Sequence, residues 1–511
     1  MLRRLTILAA LTVATGAALT APAHAAGHTI CVGSPVGTCD EHADSIQDAI
    51  ALAVNNLTPD VILVGPGTYS DGPYDLDGSP HTVTLRGSGQ GVTTITGPPS
   101  SFVTTYVVAH QAGVENLTID IPGTLSSGDT GLFLSESTAD QVSVTSAGTA
   151  NLLGIDGRDG SVVTRSSVQL SHGAGNTGVL GHGGLSVSDT EITAANGFKH
   201  SKPGTIDRLS RVQISADVLG ISTDSGDVDV DDSLIDLGTA PGAKGIAVEN
   251  TNNSTYSKTL TANHVTVVGG GAGSYGVYAY AARATTLQQA TVILGNSIVR
   301  GPATDLYAVA GNDGAQGGTS TAAIATLYSD WHTQSAVSQP NGTASIVNGA
   351  GHLDVDPGFR DPANGNYRLA AGSPLVDMGM PGTSGLTLDL DGSARLQDGN
   401  GDGIAVRDMG AYEAPAKATG PGNAGPDTTA PDTTIAAHPR KHTTKHRATF
   451  GFTSNESHVT FQCRLDKKAW GSCTPPSSYR VTRGWHVFKV RARDAAGNLD
   501  ATPASWRFKR N

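Results

Sequence analysis

Between Gly131 and Gly276 one pattern recurs seven times: a glycine, an inward-tending apolar residue, an alternating run, and then a second alternating run before the next polar turn. The runs open as Gly131-Leu132-Phe133, Gly154-Ile155-Asp156, Gly178-Val179-Leu180, Gly197-Phe198-Lys199, Gly220-Ile221-Ser222, Gly245-Ile246-Ala247 and Gly276-Val277-Tyr278. Successive glycines are 23, 24, 19, 23, 25 and 31 residues apart. A period in the twenties, carried by period-2 runs without helical spacing, predicts stacked β coils. The second runs predict further inward residues at Val142 and Val144, Val168 and Leu170, Val187, Val212 and Ile214, Val228 and Val230, Val265 and Val267, and Val292 and Leu294. A flat sandwich would need hairpin turns at shorter spacing, and these are missing.

Ahead of the repeats, Ser45 to Ala53 carries apolar residues at helical spacing with Ser45 as N-cap, which predicts one short amphipathic helix. Asp60 to Val64 and His81 to Leu85 read as strands, the first broken by Gly65-Pro66-Gly67. Ile46 to Ile50, as I-Q-x-A-I, and Val64 to Tyr69, as V-x-P-G-x-Y, resemble the N-terminal cap of right-handed parallel β-helix proteins of the pectin-lyase-like superfamily. The expected class is therefore all-β: a right-handed, single-stranded parallel β-helix closed by a short capping helix. The helix would shield apolar residues and open strand edges at the end of the first coil.

From His352 to Glu413 the style changes. Asp356-Pro357-Gly358-Phe359, Asn366-Tyr367-Arg368-Leu369, Asp389 to Arg395 and Asp408-Met409-Gly410-Ala411-Tyr412-Glu413 resemble the C-terminal segment of a bacterial secreted β-helix family, the choice-of-anchor Q type. Residues 414–430, rich in Pro, Gly and Thr, read as a linker. Beyond it, four alternating segments around Phe450, Phe461, Val487 and Trp506 read as strands of a sandwich of roughly seven. Phe461 to Asp466, with Cys473 and Asp494 to Asn498, resembles bacterial Ig-like repeats, which space, tether or bind. The expected organisation is a signal segment over 1–25, the β-helix with its caps over 26–413, the linker over 414–430 and an Ig-like domain over 431–511.

Composition agrees with coils rather than a thick core, with 65 glycines in 511 residues and only 5% aromatics. Arg3 and Arg4, the apolar Leu5 to Leu19 and Ala23-His24-Ala25 read as an export signal. Outside the cell, Cys31 with Cys39 and Cys463 with Cys473 read as two local disulfides; zinc is the rival, without matching histidines. From Pro431 onward, 15 Lys and Arg face 5 Asp and Glu, a net of +10 that leaves −22 in the preceding body. The expected partner is an extracellular polysaccharide or cell-wall polymer, the protein being secreted or wall-associated, with no nucleic acid and no transmembrane segment.

Stacked in register, the second and fourth residues after each glycine form an outward face. One level carries Phe133, Asp156, Leu180, Lys199, Ser222, Ala247 and Tyr278; the other carries Ser135, Arg158, His182, Ser201, Asp224, Glu249 and Tyr280. Phe133, His182, Glu249, Tyr278 and Tyr280 are the expected sugar contacts. A lyase would use Arg158 or Lys199 as base, with Asp156 and Asp224 near a cation. A hydrolase would need clustered carboxylates, for which Asp224, Asp227, Asp229, Asp231 and Asp232 are candidates scattered over two faces and a turn. Neither constellation is complete in the sequence, and without a nucleophile elbow no Ser/His/Asp triad is argued. His200 and His264 read as structural imidazoles. Asp398, Asn400 and Asp402 open a calcium-loop pattern in which Met409 falls where glutamate belongs, leaving Asp408 or Glu413 to substitute. The competing expectation is a non-catalytic envelope protein, its solenoid a rigid stalk and its Ig-like module a wall anchor.

Overall fold

In the computed structural model the described residues are 28–54, 59–76, 82–97, 105–122, 128–149, 151–173, 175–251, 257–282, 288–311, 319–382, 388–417, 429–456, 459–494 and 497–511. The expected signal segment, His81 and most of the expected linker lie outside them. Two compact units result, Met1–Lys417 and Ala418–Asn511.

Among the described residues of the first unit, thirty strands join one ladder whose pairings are all parallel. The strands that carry the site are β1 (Thr130–Ser135), β2 (Leu153–Arg158), β3 (Thr177–His182), β4 (Ser186–His200), β5 (Ile206–Thr223), β6 (Lys244–Asn250), β7 (Tyr275–Ala282) and β8 (Thr304–Gly311). Each strand pairs with its counterpart one coil later, which makes a right-handed parallel β-helix. Every inward residue expected from the alternation is buried, from Leu132 and Val142 through Val292 and Leu294.

The recurrent glycine has a steric cause. A Cβ on Gly154 would lie 2.5 Å from the carbonyl oxygen of Gly178 and 2.5 Å from Val168 Cγ1; one on Gly131 would lie 2.9 Å from Gly154 O and 2.6 Å from Val144 Cγ1. These glycines are needed for close coil-to-coil approach, not for an unusual φ.

A second column marks the corner between the two alternating runs. Asn116, Gln141, Arg165, Asp189, Arg211, Asp232, His264, Asn296 and Tyr328 all adopt φ between 48° and 53°, and the strand registers on either side stack them coil over coil. Left-handed residues of this kind cost conformational energy, which the repeated ladder on both sides overcomes.

The helix spans Ile46–Val54 and buries Ile46, Ala49, Ile50 and Ala53, one stripe at helical spacing, against the first coil. Ser45 Oγ accepts the Asp48 N–H at 3.0 Å, as its capping position predicts. The second expected strand is Val83–Arg86.

The segment after the coils folds back on the corner column. Leu375, Val376 and Met409 pack with Ile298, while Ala411 and Tyr412 pack with Leu234 and Val268. Polar anchors follow the same path: Ala411 N donates to Thr266 Oγ1 at 2.9 Å and Gly410 N to Asn296 O at 2.7 Å. Under this cover lies a buried charged group. Arg395 donates from Nε to Asp232 Oδ1 at 2.8 Å and from Nη2 to Ala411 O at 2.8 Å, with Nη1 3.6 Å from Glu413 Oε2.

Among the described residues of the second unit eight strands, against roughly seven expected, form sheets of three and five around Phe450, Phe488 and Phe508. Cys463–Cys473 links two neighbouring strands there, and Cys31–Cys39 closes a turn in the first coil. Among the described residues no helix is long and apolar enough to cross a membrane.

Candidate functional site

The expected face forms in the expected register. Phe133 pairs with Asp156, Asp156 with Leu180, Leu180 with Lys199, Lys199 with Ser222, Ser222 with Ala247, and Ala247 with Tyr278. The same strands align Ser135 with Arg158, Arg158 with His182 and Glu249 with Tyr280. Tyr307 extends the first level by one more coil. At strand spacing of about 4.8 Å, seven steps from Phe133 to Tyr307 cover roughly 34 Å. Position in register does not guarantee display, however. Asp156, Ser222 and Ala247 are outward in register yet buried.

Three groups of side chains result. In the first, Arg158 grips Asp156 through two hydrogen bonds of 3.1 and 2.7 Å while its guanidinium lies 4.8 Å from the Phe133 ring centre. The hydrogen bond to Asp156 raises the Arg158 pKa, the opposite of what proton abstraction asks of a base. His182 Nε2 lies 3.4 Å from Asp156 Oδ1, and its Nδ1 is 2.8 Å from Ser201 Oγ. Burial holds the His182 pKa below its ordinary value.

In the second, Lys199 Nζ pairs with Asp224 Oδ2 at 3.1 Å. Asp156 and Asp224 thus each hold a different cation, and among the described residues no group of three or more His, Cys, Asp or Glu is arranged to hold a metal ion.

The third group is aromatic. Tyr275 and Tyr307 stack at 4.7 Å between ring centres, Tyr278 lies 5.3 Å from Tyr275 and 5.9 Å from Tyr307, and Tyr280 lies 5.9 Å from Tyr278. Lys244 caps the Tyr278 ring at 4.0 Å and forms an ion pair with Glu249. Burial, with Glu249 beside it, raises the Tyr278 pKa, so the ring stays a neutral phenol.

Sequence reasoning missed Tyr275, Tyr307 and Lys244. Tyr307 follows Asp305-Leu306, where the repeat lacks its glycine; Tyr275 and Lys244 precede the glycines of their coils, outside the positions counted. The registers Lys244 to Tyr275 and Tyr275 to Tyr307's coil join them to the same face. Lys258, also missed, is fully buried and donates to Glu249 O at 3.0 Å, with its pKa lowered by burial.

The histidines follow two patterns. His200 is buried between Asp207 Oδ2 at 2.6 Å and Lys202 O at 2.7 Å, a satisfied structural imidazole as expected. His264 is also buried, but neither ring nitrogen has a hydrogen-bond partner; Asp232 stands 3.8 Å away, and burial lowers its pKa.

Of the four expected calcium ligands, Asp398, Asn400 and Asp402 share one turn. Asp398 spends Oδ1 on the N–H groups of Gly401 and Asp402 and Oδ2 on Gly403, Asn400 Oδ1 accepts from Asp402, and Asp402 Oδ1 accepts from Ile404. Asp408 instead accepts from Asp377 N and Ala414 N, at 2.7 and 2.6 Å. As placed, Asp398, Asn400 and Asp402 form an Asx-type turn.

No protein-family model matches the sequence, and no curated protein matches it. Solved structures share its shape in part. Pectate lyase Pel9A is similar at 13% identity and a TM-score of 0.41, over 76% of this chain and 97% of that one. The catalytic unit of a GH87 alpha-1,3-glucanase from Streptomyces thermodiastaticus strain HF3-3 is similar at 14% identity and 0.37, over 65% and 71%. A pectin methylesterase from Aspergillus niger is similar at 17% identity and 0.32, over 49% and 87%. At such identities and scores, any function must be argued from the geometry of the face itself.

Proposed function

We propose that the protein binds a polysaccharide outside the cell along the face from Phe133 to Tyr307. The observation that carries this reading is the set of four tyrosines on neighbouring coils, with Lys244 and Glu249 at its edge. Aromatic faces take the apolar side of a sugar ring, while a flanking ion pair supplies donors and acceptors for hydroxyls. Arg158, Lys199 and Lys244 each have a carboxylate partner, so the face suits a neutral glycan better than a polyuronate. A polyuronate would have to displace an internal carboxylate at each step. For the same reason binding is favoured over lyase cleavage by Arg158 or Lys199. The test is retention of the intact chain on a panel of immobilised neutral and acidic glycans. Tyr278→Ala should weaken retention about tenfold, from the loss of roughly 1.5 kcal/mol of aromatic contact; no retention on any glycan would sink the reading.

A second reading concerns the Ig-like tail as a wall anchor. Trp485 is 52% exposed there, with Arg507 stacked 4.5 Å from its ring, in a segment of net charge +10. Cell-wall sedimentation that is weakened by salt and lost on truncation after Lys417 would support it.

A further inference from the structure

Asp156, His182 and Ser201 stand on three consecutive coils, and the ladder brings them together: His182 is hydrogen-bonded to Ser201 and lies 3.4 Å from the Asp156 carboxylate. We infer that Ser201 is the nucleophile of a hydrolase site for carboxylic esters, with His182 as its base and Asp156 orienting the imidazole. The substrate class is an O-acyl ester of a hydroxyl-rich molecule. The inference goes beyond glycan binding and does not depend on the tyrosines.

The Ser201 hydroxyl is 2.8 Å from His182 Nδ1, and His182 Nε2 is 3.4 Å from Asp156 Oδ1. One tautomer suits both contacts: Nδ1 accepts from the serine, and Nε2, 3.4 Å from the carboxylate, carries the proton. Contacts of this length before substrate arrives are common at such sites. Burial keeps His182 more readily neutral, which a base at neutral pH requires.

The backbone around Ser201 is fixed from both sides. Ser201 N donates to Gly181 O at 2.9 Å. Lys202 O accepts from His200 Nε2 at 2.7 Å and from Thr205 Oγ1 at 2.8 Å, and Lys202 Nζ pairs with Asp159 at 2.8 Å. His200 is itself locked to Asp207 at 2.6 Å. The buried histidine therefore holds the peptide that presents Ser201, a fixed geometry of the kind nucleophilic attack needs. Ser201 and His182 remain partly exposed, so substrate can reach them. Arg158 uses Nε and Nη2 on Asp156, and Nη1 is the donor proposed for the developing oxyanion.

The reaction balances with water as the co-reactant. Ser201 Oγ bonds to the acyl carbon as its proton passes to His182 Nδ1. The ester C–O bond then breaks, and the leaving alkoxide takes that proton. Water, deprotonated by His182, attacks the acyl-serine, releasing the carboxylic acid and restoring the Ser201 hydroxyl.

The test treats the intact chain with a fluorophosphonate probe, maps the adduct by peptide mass, and follows 4-nitrophenyl acetate hydrolysis. The expected result is an adduct on Ser201 whose rate rises with pH through a midpoint below the ordinary histidine value. Ser201→Ala should lose the adduct, and both Ser201→Ala and His182→Gln should cut hydrolysis at least 100-fold while melting like the parent. No adduct on Ser201, or hydrolysis unchanged in Ser201→Ala, would overturn the inference. Glycan retention is read separately, so a chain that binds glycan without forming the adduct loses this inference alone.

Discussion

Replacing Gly154 by alanine tests the steric origin of the repeat by its sign. Gly154 does not have a positive φ, so alanine there suits the backbone and, in open space, would stabilise by about 0.4–1 kcal/mol through the unfolded chain. In the coil, the new Cβ would stand 2.5 Å from Gly178 O and 2.5 Å from Val168 Cγ1, where ordinary contact begins at 3.4 Å. Relieving about 1 Å of overlap against a backbone oxygen belongs to the overpacking range of about 1–3 kcal/mol. The net expectation is a loss of about 1–2 kcal/mol. Native-state hydrogen exchange on β2 and β3 measures it, because solenoids open coil by coil rather than all at once. Adding Val168→Ala removes one of the two clashes, so the double variant should be less destabilised than the sum of the singles by at least about 0.5 kcal/mol. Gly471→Ala, with nothing within 4 Å of its Cβ, is the open-space control and should stabilise its own unit by about 0.4–1 kcal/mol. Increased protection in Gly154→Ala would refute the close-approach argument.

Three further outcomes follow from the buried charges and the Asx turn. Arg395→Ala leaves the ionised Asp232 without its buried cation and should loosen residues 353–417 by about 3–5 kcal/mol at pH 8; thermolysin should then cut that segment first, and unchanged resistance would contradict the role of the pair. Burial, with Asp408 nearby, pushes the Glu413 pKa up to about 9, and burial pushes Asp232 up to about 6. A raised carboxyl binds more protons folded than unfolded, so its contribution is present at low pH and is lost as pH rises through the folded value. Hydrogen-exchange protection of Asp408 to Glu413 should accordingly fall between pH 5 and pH 9, and a rise would refute the assignment. Millimolar calcium should leave the melting temperature unchanged, since Asp398 and Asp408 already accept from backbone N–H groups; a saturable increase would show that the turn rearranges into a cage.

Much of the coil geometry was legible because it repeats. A glycine required by close approach recurs in the seven coils from Gly131 to Gly276 and shows which residues face inward and which share a rung, so Phe133 to Tyr278 fell in register without any structure. Features made by contact between distant segments were not legible. Asp232 and His264 look like ordinary corner residues until Arg395 and Glu413, more than 100 positions later, cover them. The Ser201–His182–Asp156 line was hidden for a related reason: its members sit on different coils, with no local motif to join them. The partners of Asp408 were hidden in the same way: its carboxylate accepts from the backbone N–H groups of Asp377, 31 positions earlier, and Ala414.

The proposed glycan-binding function rests on the four tyrosines of the outward face of the coils. Hydroxyl-radical footprinting of the intact chain, with and without a retained neutral oligosaccharide, examines this residue by residue. Protection is expected at Tyr275, Tyr278, Tyr280 and Tyr307, fading toward Phe133 as the oligosaccharide is shortened. Protection confined to Trp485 and the tail, with the four tyrosines unchanged, would contradict it.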